Sequence, residues 1–128
     1  MNARSLQLEL LDGTLAVCRL DAGAPVPAWA AGPFVSVTRT DAELSVVCSA
    51  EGVPAGVRAE GGWRALRVRG PLGFGMTGVL ASLASPLAGR GVSIFVVSTY
   101  DTDYLLVQER DLERARHALV LAGHSFEG

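Results

Sequence analysis

Charge of either sign is scarce in this 128-residue chain: 11 Lys+Arg stand against 13 Asp+Glu, a formal net charge of -2. With no basic excess there is no electrostatic footprint for nucleic acid. Cysteine is scarcer still. Cys18 and Cys48 are too few for a structural zinc site. Both sit in β-like apolar runs and read as core thiols, which fits a reducing cytoplasm. No apolar stretch approaches the roughly 20 residues of a spanning helix. Residues 1–4 lead into the alternation Leu6, Leu8, Leu10, a strand and not the core of a signal peptide. Aromatics are only 6%, yet 49% of the chain is hydrophobic, which argues against disorder. The length allows one compact domain or two very small ones. The expectation is a soluble, cytoplasmic protein without a metal, a cofactor or a membrane segment.

Strands are expected at Ser5–Leu11 and Thr14–Leu20, joined by a hairpin turn at Asp12-Gly13. Pro25 and Pro27 then set a turn, with Trp29 anchoring a short helical piece. Phe34–Thr40 and Glu43–Ser49 form a β-branched pair around Asp41-Ala42. Trp63–Arg69 is a strand, and Val92–Thr99 and Asp103–Gln108 make a further pair. Two helical stripes are present. Met76, Val79, Leu80, Leu83 and Leu87 form one, with Pro86 late in the run and Gly89 and Gly91 as its stop. Asp111 is the expected N-cap of the other, whose stripe is Leu112, Ala115, Leu119 and Ala122, ending at Gly123. His124–Gly128 leaves room for a short last strand.

From Trp63 onward the order is βαββαβ, an α+β ferredoxin-like unit: a four-stranded antiparallel sheet with both helices on one face. The first half echoes it. A shift of 60 sets Val37 on Val97, Asp41 on Asp101, Val47 on Val107 and Glu43 on Asp103. The reading is of two modules, residues 1–60 and 61–128, the first degenerate and too short for full helices. Neither half has core enough alone.

Gly73-Phe74-Gly75-Met76-Thr77-Gly78 spells G-x-G-x-x-G between a strand and a helix. In a dinucleotide fold such glycines let a pyrophosphate meet the helix N-terminus. Here the next strand turns straight back through a hairpin, where that fold needs a parallel sheet. Two readings of the glycines stay open: a turn whose free N–H groups hold a carboxylate, or close helix–sheet contact alone.

No catalytic constellation emerges. His117 and His124 read as surface or capping residues, no G-x-S-x-G elbow is present, and the charges between Glu109 and Arg116 read as a solvated helix face. The densest polar cluster is Ser98-Thr99-Tyr100-Asp101-Thr102-Asp103-Tyr104. A tight turn explains Asp101 and Thr102, but hydroxyls and a carboxylate at a strand end could also read an amino group.

That string, with Gly62–Val68, Gly70–Phe74 and Thr77–Ser82, resembles the small tandem ACT-domain proteins, and Phe34–Cys48 resembles their N-terminal half. The likeness extends to the ACT domains of the animal cytosolic arginine sensors and, more distantly, to aspartate kinase regulatory domains. It implies an amino acid held between two ACT modules, and a homodimer by analogy. The ligand residues it implies are Gly73, Phe74, Met76 and Gly78 from the helix-opening loop, Thr99, Tyr100 and Asp103 from the hairpin, and Ser36 and Val37 from the first module. It also implies that Asp103 pairs with a cationic group, the ligand's α-amino group. The arginine sensors carry acidic residues where Gly75 and Met76 stand here, so a small or apolar amino acid fits this turn better than arginine. The expected function is a non-catalytic regulatory module that senses an amino acid; the alternative is an interaction module with the ACT fold and no working pocket.

Overall fold

The computed structural model describes residues 5–70 and 77–127. In chain order the strands are β1 (Gln7–Leu10), β2 (Leu15–Leu20), β3 (Ser36–Arg39), β4 (Leu44–Ser49), β5 (Arg58–Val68), β6 (Phe95–Ser98), β7 (Asp103–Gln108) and β8 (Ser125–Phe126). Helix α1 is Val79–Gly89 and helix α2 is Leu112–Leu121. Two compact units result, Gly13–Trp63 and a second made of Met1–Asp12 with Arg64–Gly128.

In the Gly13–Trp63 unit the strand order is β3-β4-β2-β5, every pair antiparallel, with Ser36 opposite Val47, Cys18 opposite Val46 and Ala59 opposite Cys18. One face buries Ala16, Cys18, Leu44, Val46 and Cys48. Trp29, Ala30, Val53 and Val57 pack against it from the connecting segments. Both connections are non-helical apart from the 3-10 turn Ala50–Gly52. The short helix expected around Trp29 is absent. Pro25 and Pro27 have no N–H to give, and the Ala30 N–H closes a turn on the Pro27 carbonyl (3.1 Å) instead.

The other unit has the order β6-β7-β5-β1-β8. Strand β1 runs antiparallel to β5, Leu8 opposite Val68, and parallel to β8, Leu8 opposite Phe126. The four-stranded antiparallel sheet expected from the sequence therefore has a fifth member, inserted between β5 and β8. Nor do β1 and β2 form a hairpin: each pairs with β5. Asp12-Gly13, with Gly13 at φ 83, passes the chain from one unit to the other. A division at residue 60 places β1 with the first module, whereas the compact units group it with residues from Arg64 on.

Leu8, Leu66, Val68, Leu105 and Val107 form the sheet side of this core, and Val79, Leu83, Leu87, Leu112, Ala115, Ala118 and Leu119 the helix side. Leu80 is exposed on α1, and Ala118 takes the buried place expected of Ala122. Both helices end in the same way. Gly91 (φ 70) and Gly123 (φ 100) take the left-handed position that L side chains resist. Val92 and His124 then donate their N–H groups back to the carbonyls of Leu87 and Leu119, each at 3.0 Å, which is the Schellman arrangement. Asp111 stands at the N-cap of α2 but makes no capping bond, because its carboxylate is held by Arg114 at 2.6 Å.

His117 is exposed, whereas His124 is buried. The Leu6 N–H donates to His124 Nδ1 (3.1 Å), so Nε2, 2.9 Å from the Ser82 carbonyl oxygen, carries the ring proton. Ser82 is the residue whose helical partner would be the N–H of position 86, and Pro86 has none. The imidazole thus supplies the donor that the proline removes, and α1 continues through Pro86 to Gly89. Among the described residues no helix is long and apolar enough to cross a membrane, and no three His, Cys, Asp or Glu side chains group as for a metal.

Candidate functional site

The polar string of the sequence folds as the β6–β7 hairpin, with Val97 opposite Tyr104 and Ser98 opposite Asp103. Antiparallel return of the chain here rules out the dinucleotide fold at the G-x-G-x-x-G run. The turn is Thr99-Tyr100-Asp101-Thr102. The Thr99 N–H and Oγ1–H both donate to the Thr102 carbonyl (2.8 and 3.0 Å), and the Thr102 N–H donates to Thr99 Oγ1 (3.3 Å). The N-terminal unit repeats it. The Thr40 N–H and Oγ1–H face the Glu43 carbonyl at 2.9 and 3.4 Å, and the Glu43 N–H donates to Thr40 Oγ1 (3.1 Å).

Matching turn to turn sets Thr40 on Thr99, a shift of 59 where the sequence alone suggests 60. The cross-strand pair Val37–Val46 then falls on Val96–Leu105. On this register Asp103 corresponds to Leu44, which is 0% exposed, and not to Glu43. Side chains alternate along a strand, so Asp103 shares the helix-side face of β7 with the buried Leu105 and Val107. A carboxylate thus stands, half-buried, at a core-facing strand position. Among the described residues it makes no ion pair.

The opposite face carries a polar cleft of about 350 Å³ lined by Arg67, Val68, Gly70, Asp101, Thr102 and Tyr104. Arg67 is held by two bonds to Glu9, from Nε (3.1 Å) and Nη2 (2.5 Å). Hydrogen bonds to Glu9 and then to Tyr104 push its already high pKa further up, so the guanidinium is a fixed cation. Arg67 and Tyr104 occupy strand positions that alternate with Leu66, Val68 and Leu105. That period-two pattern was the signal in the sequence that could have placed them. Thr102 gave none, since turn formation alone accounts for a threonine there.

The other residues implied by the resemblance fall as follows. Thr99 and Tyr100 belong to the turn, with Tyr100 80% exposed at its tip. Gly78 is the N-cap of α1 at φ 77 and offers no side-chain cap to the first helical turn. Ser36 and Val37 open β3 in the Gly13–Trp63 unit, Ser36 half-buried and Val37 exposed. Gly73, Phe74 and Met76 lie outside the described residues.

The ACT-domain family model matches residues 58–120, and a second model, of an N-terminal domain, matches residues 13–56. The human protein CASTOR3P is 34% identical over 99 residues, 67% of this chain and 61% of its own length. The Bos taurus protein named cytosolic arginine sensor for mTORC1 subunit 1 is 35% identical over 97 residues, again 67% of this chain but only 30% of that protein. The chain therefore spans less than two thirds of these relatives. Protein Atu0741 from Agobacterium tumefaciens, a crystal structure, is 46% identical with a TM-score of 0.93, covering 98% of this chain and 94% of that one. The regulatory subunit of aspartate kinase from Thermus thermophilus shares the fold, with a TM-score of 0.58 at 13% identity over 88% of this chain and 93% of that one. Matched in both halves and along nearly the whole length of a solved relative, the chain belongs to the ACT-domain family.

Proposed function

We propose that this chain is a non-catalytic regulatory module that binds an amino acid and relays its presence to a partner. The observation that carries the proposal is Asp103: a half-buried carboxylate at a core-facing register where the N-terminal copy has a leucine. Burying part of a charge is costly unless something opposite in sign meets it, and an α-ammonium group is such a partner. Relatives named as arginine sensors support the ligand class. Thr99 and Tyr100, from the turn that precedes Asp103, add contacts. Gly78, with Gly73, Phe74 and Met76, holds the ligand carboxylate, and Ser36 and Val37 add contacts. The family supplies the rest of the reading: a ligand held where ACT modules meet, a homodimer, and a cytosolic setting like that of the named sensors.

The test is a thermal-shift screen against the twenty amino acids. At least one should raise the melting temperature, and Asp103→Ala should diminish that rise. Ligand at 100 times its Kd stabilises by about 2.7 kcal/mol, well within reach of the assay. If none of the twenty shifts the wild type, the chain is an interaction module with the ACT fold and no functional pocket. Turnover of an amino-acid derivative would instead make it an enzyme.

A further inference from the structure

One bond carries the C-terminal turn outside itself and has no counterpart in the N-terminal turn. The Thr102 Oγ1–H donates to the Val68 carbonyl oxygen at 2.6 Å, and Thr102 is 6% exposed. Its N-terminal counterpart is Glu43, which lies partly exposed beside a turn closed by the same three bonds. Val68 is the last residue of β5. The bond therefore ties the tip of the hairpin to the place where the chain leaves β5 for the glycine-rich run.

We propose that Thr102 is a positioning residue of the amino-acid site, a proposal that rests on the reading of Asp103 given above. Thr102 closes the turn through its own backbone, accepting from Thr99 at its carbonyl and donating from its N–H. Its hydroxyl then fixes that closed turn against β5. Asp103 follows with no residue between, so its backbone inherits the constraint and its carboxylate has fewer orientations to lose on binding. Where the hydroxyl is absent, at Glu43, the matched register carries Leu44, which needs packing but no orientation toward a charge.

The experiment uses the full chain as wild type, Thr102→Val, Thr102→Ser and Asp103→Ala. Valine keeps the shape without the donor; serine keeps the donor. Hydrogen exchange without ligand reads the pin. In Thr102→Val the amides of Thr99 and Thr102 should exchange roughly tenfold faster while those of Leu105–Val107 hold, and serine should restore protection. Unchanged exchange in the valine variant overturns the pin whatever the ligand does. Calorimetric titration then uses the amino acid that shifts wild type most. Thr102→Val should weaken it about tenfold, Thr102→Ser should stay near wild type, and Asp103→Ala should weaken it without altering exchange. Faster exchange with unchanged affinity overturns the positioning role and leaves the ligand reading standing. A wild type that binds none of the twenty overturns both, the pin then being structural alone.

Discussion

Replacing His124 with leucine, alone and together with Pro86→Ala, tests whether the imidazole stands in for the N–H that the proline lacks. Leucine roughly fills the space but donates and accepts nothing. The Leu6 N–H and the Ser82 carbonyl would both lose a partner, at 3.1 and 2.9 Å respectively, around a side chain only 4% exposed. A buried polar group left unsatisfied costs ~1–3 kcal/mol, so with two such groups the single variant should lose about 2–6 kcal/mol. With alanine at position 86 the helix provides its own donor to Ser82. His124→Leu should then cost only about 1–3 kcal/mol, leaving a coupling of about 1–3 kcal/mol between the two positions. Urea unfolding of the four proteins measures this, and equal slopes would show that the denatured states are comparable. If the two substitutions add to within about 0.3–0.5 kcal/mol, the imidazole and the proline do not compete for Ser82 and the reasoning fails.

Two further outcomes follow from the Gly13–Trp63 unit. The Cys18 thiol is pushed up to about 11 from its ordinary 9.0, by burial first and by Cys48 second, and burial also raises Cys48. The folded chain keeps these protons where the unfolded chain releases them, so stability should be level below pH 9 and fall as pH rises toward 11. The urea midpoint followed across that range should decline less steeply in a Cys18→Ala/Cys48→Ala variant. Gly32 sits at φ 119, and a Cβ there would lie 1.9 Å from Ser49 Oγ and 2.9 Å from Ser49 Cβ. Gly32→Ala should therefore lower stability by roughly 2–3 kcal/mol in urea unfolding. Adding Ser49→Gly should recover only the steric part, because the backbone strain persists.

Period-two and helical patterns made most elements legible in the sequence, since each buried side chain leaves its mark on the spacing. Asp103–Gln108 starts and ends where the alternation says. What escaped has no such mark. The first part of β5, Arg58–Gly62, is polar and glycine-rich and reads as a linker; pairing with β2, Ala59 opposite Cys18, makes it a strand. The insertion of β1 beside β8 is set by partners far along the chain, which local pattern does not encode. In the candidate site the hairpin string was plain to see, but the shift of 60 paired Asp103 with another acid. Only the hydrogen-bonded turns reveal that its true counterpart is a buried leucine. Thr102 shows the same limit, being a turn residue by composition and a buried donor by structure.

The placement of β1 has a kinetic side. Leu6 and His124 are 118 positions apart, and the same separation holds along the β1–β8 pair, so this corner closes the longest loop the fold contains among its described pairs. Loop-closure entropy grows slowly with length, but contacts of such separation come late in folding. In the Gly13–Trp63 unit the pairs from Leu20–Leu44 to Leu15–Ser49 close far shorter loops. A ribosome would release that unit's strands complete while β1 still waited for the second half of β5 and then for β8. Until then Leu8, wholly buried in the finished fold, stays an exposed apolar residue on an unpaired strand, which is where aggregation during synthesis would start.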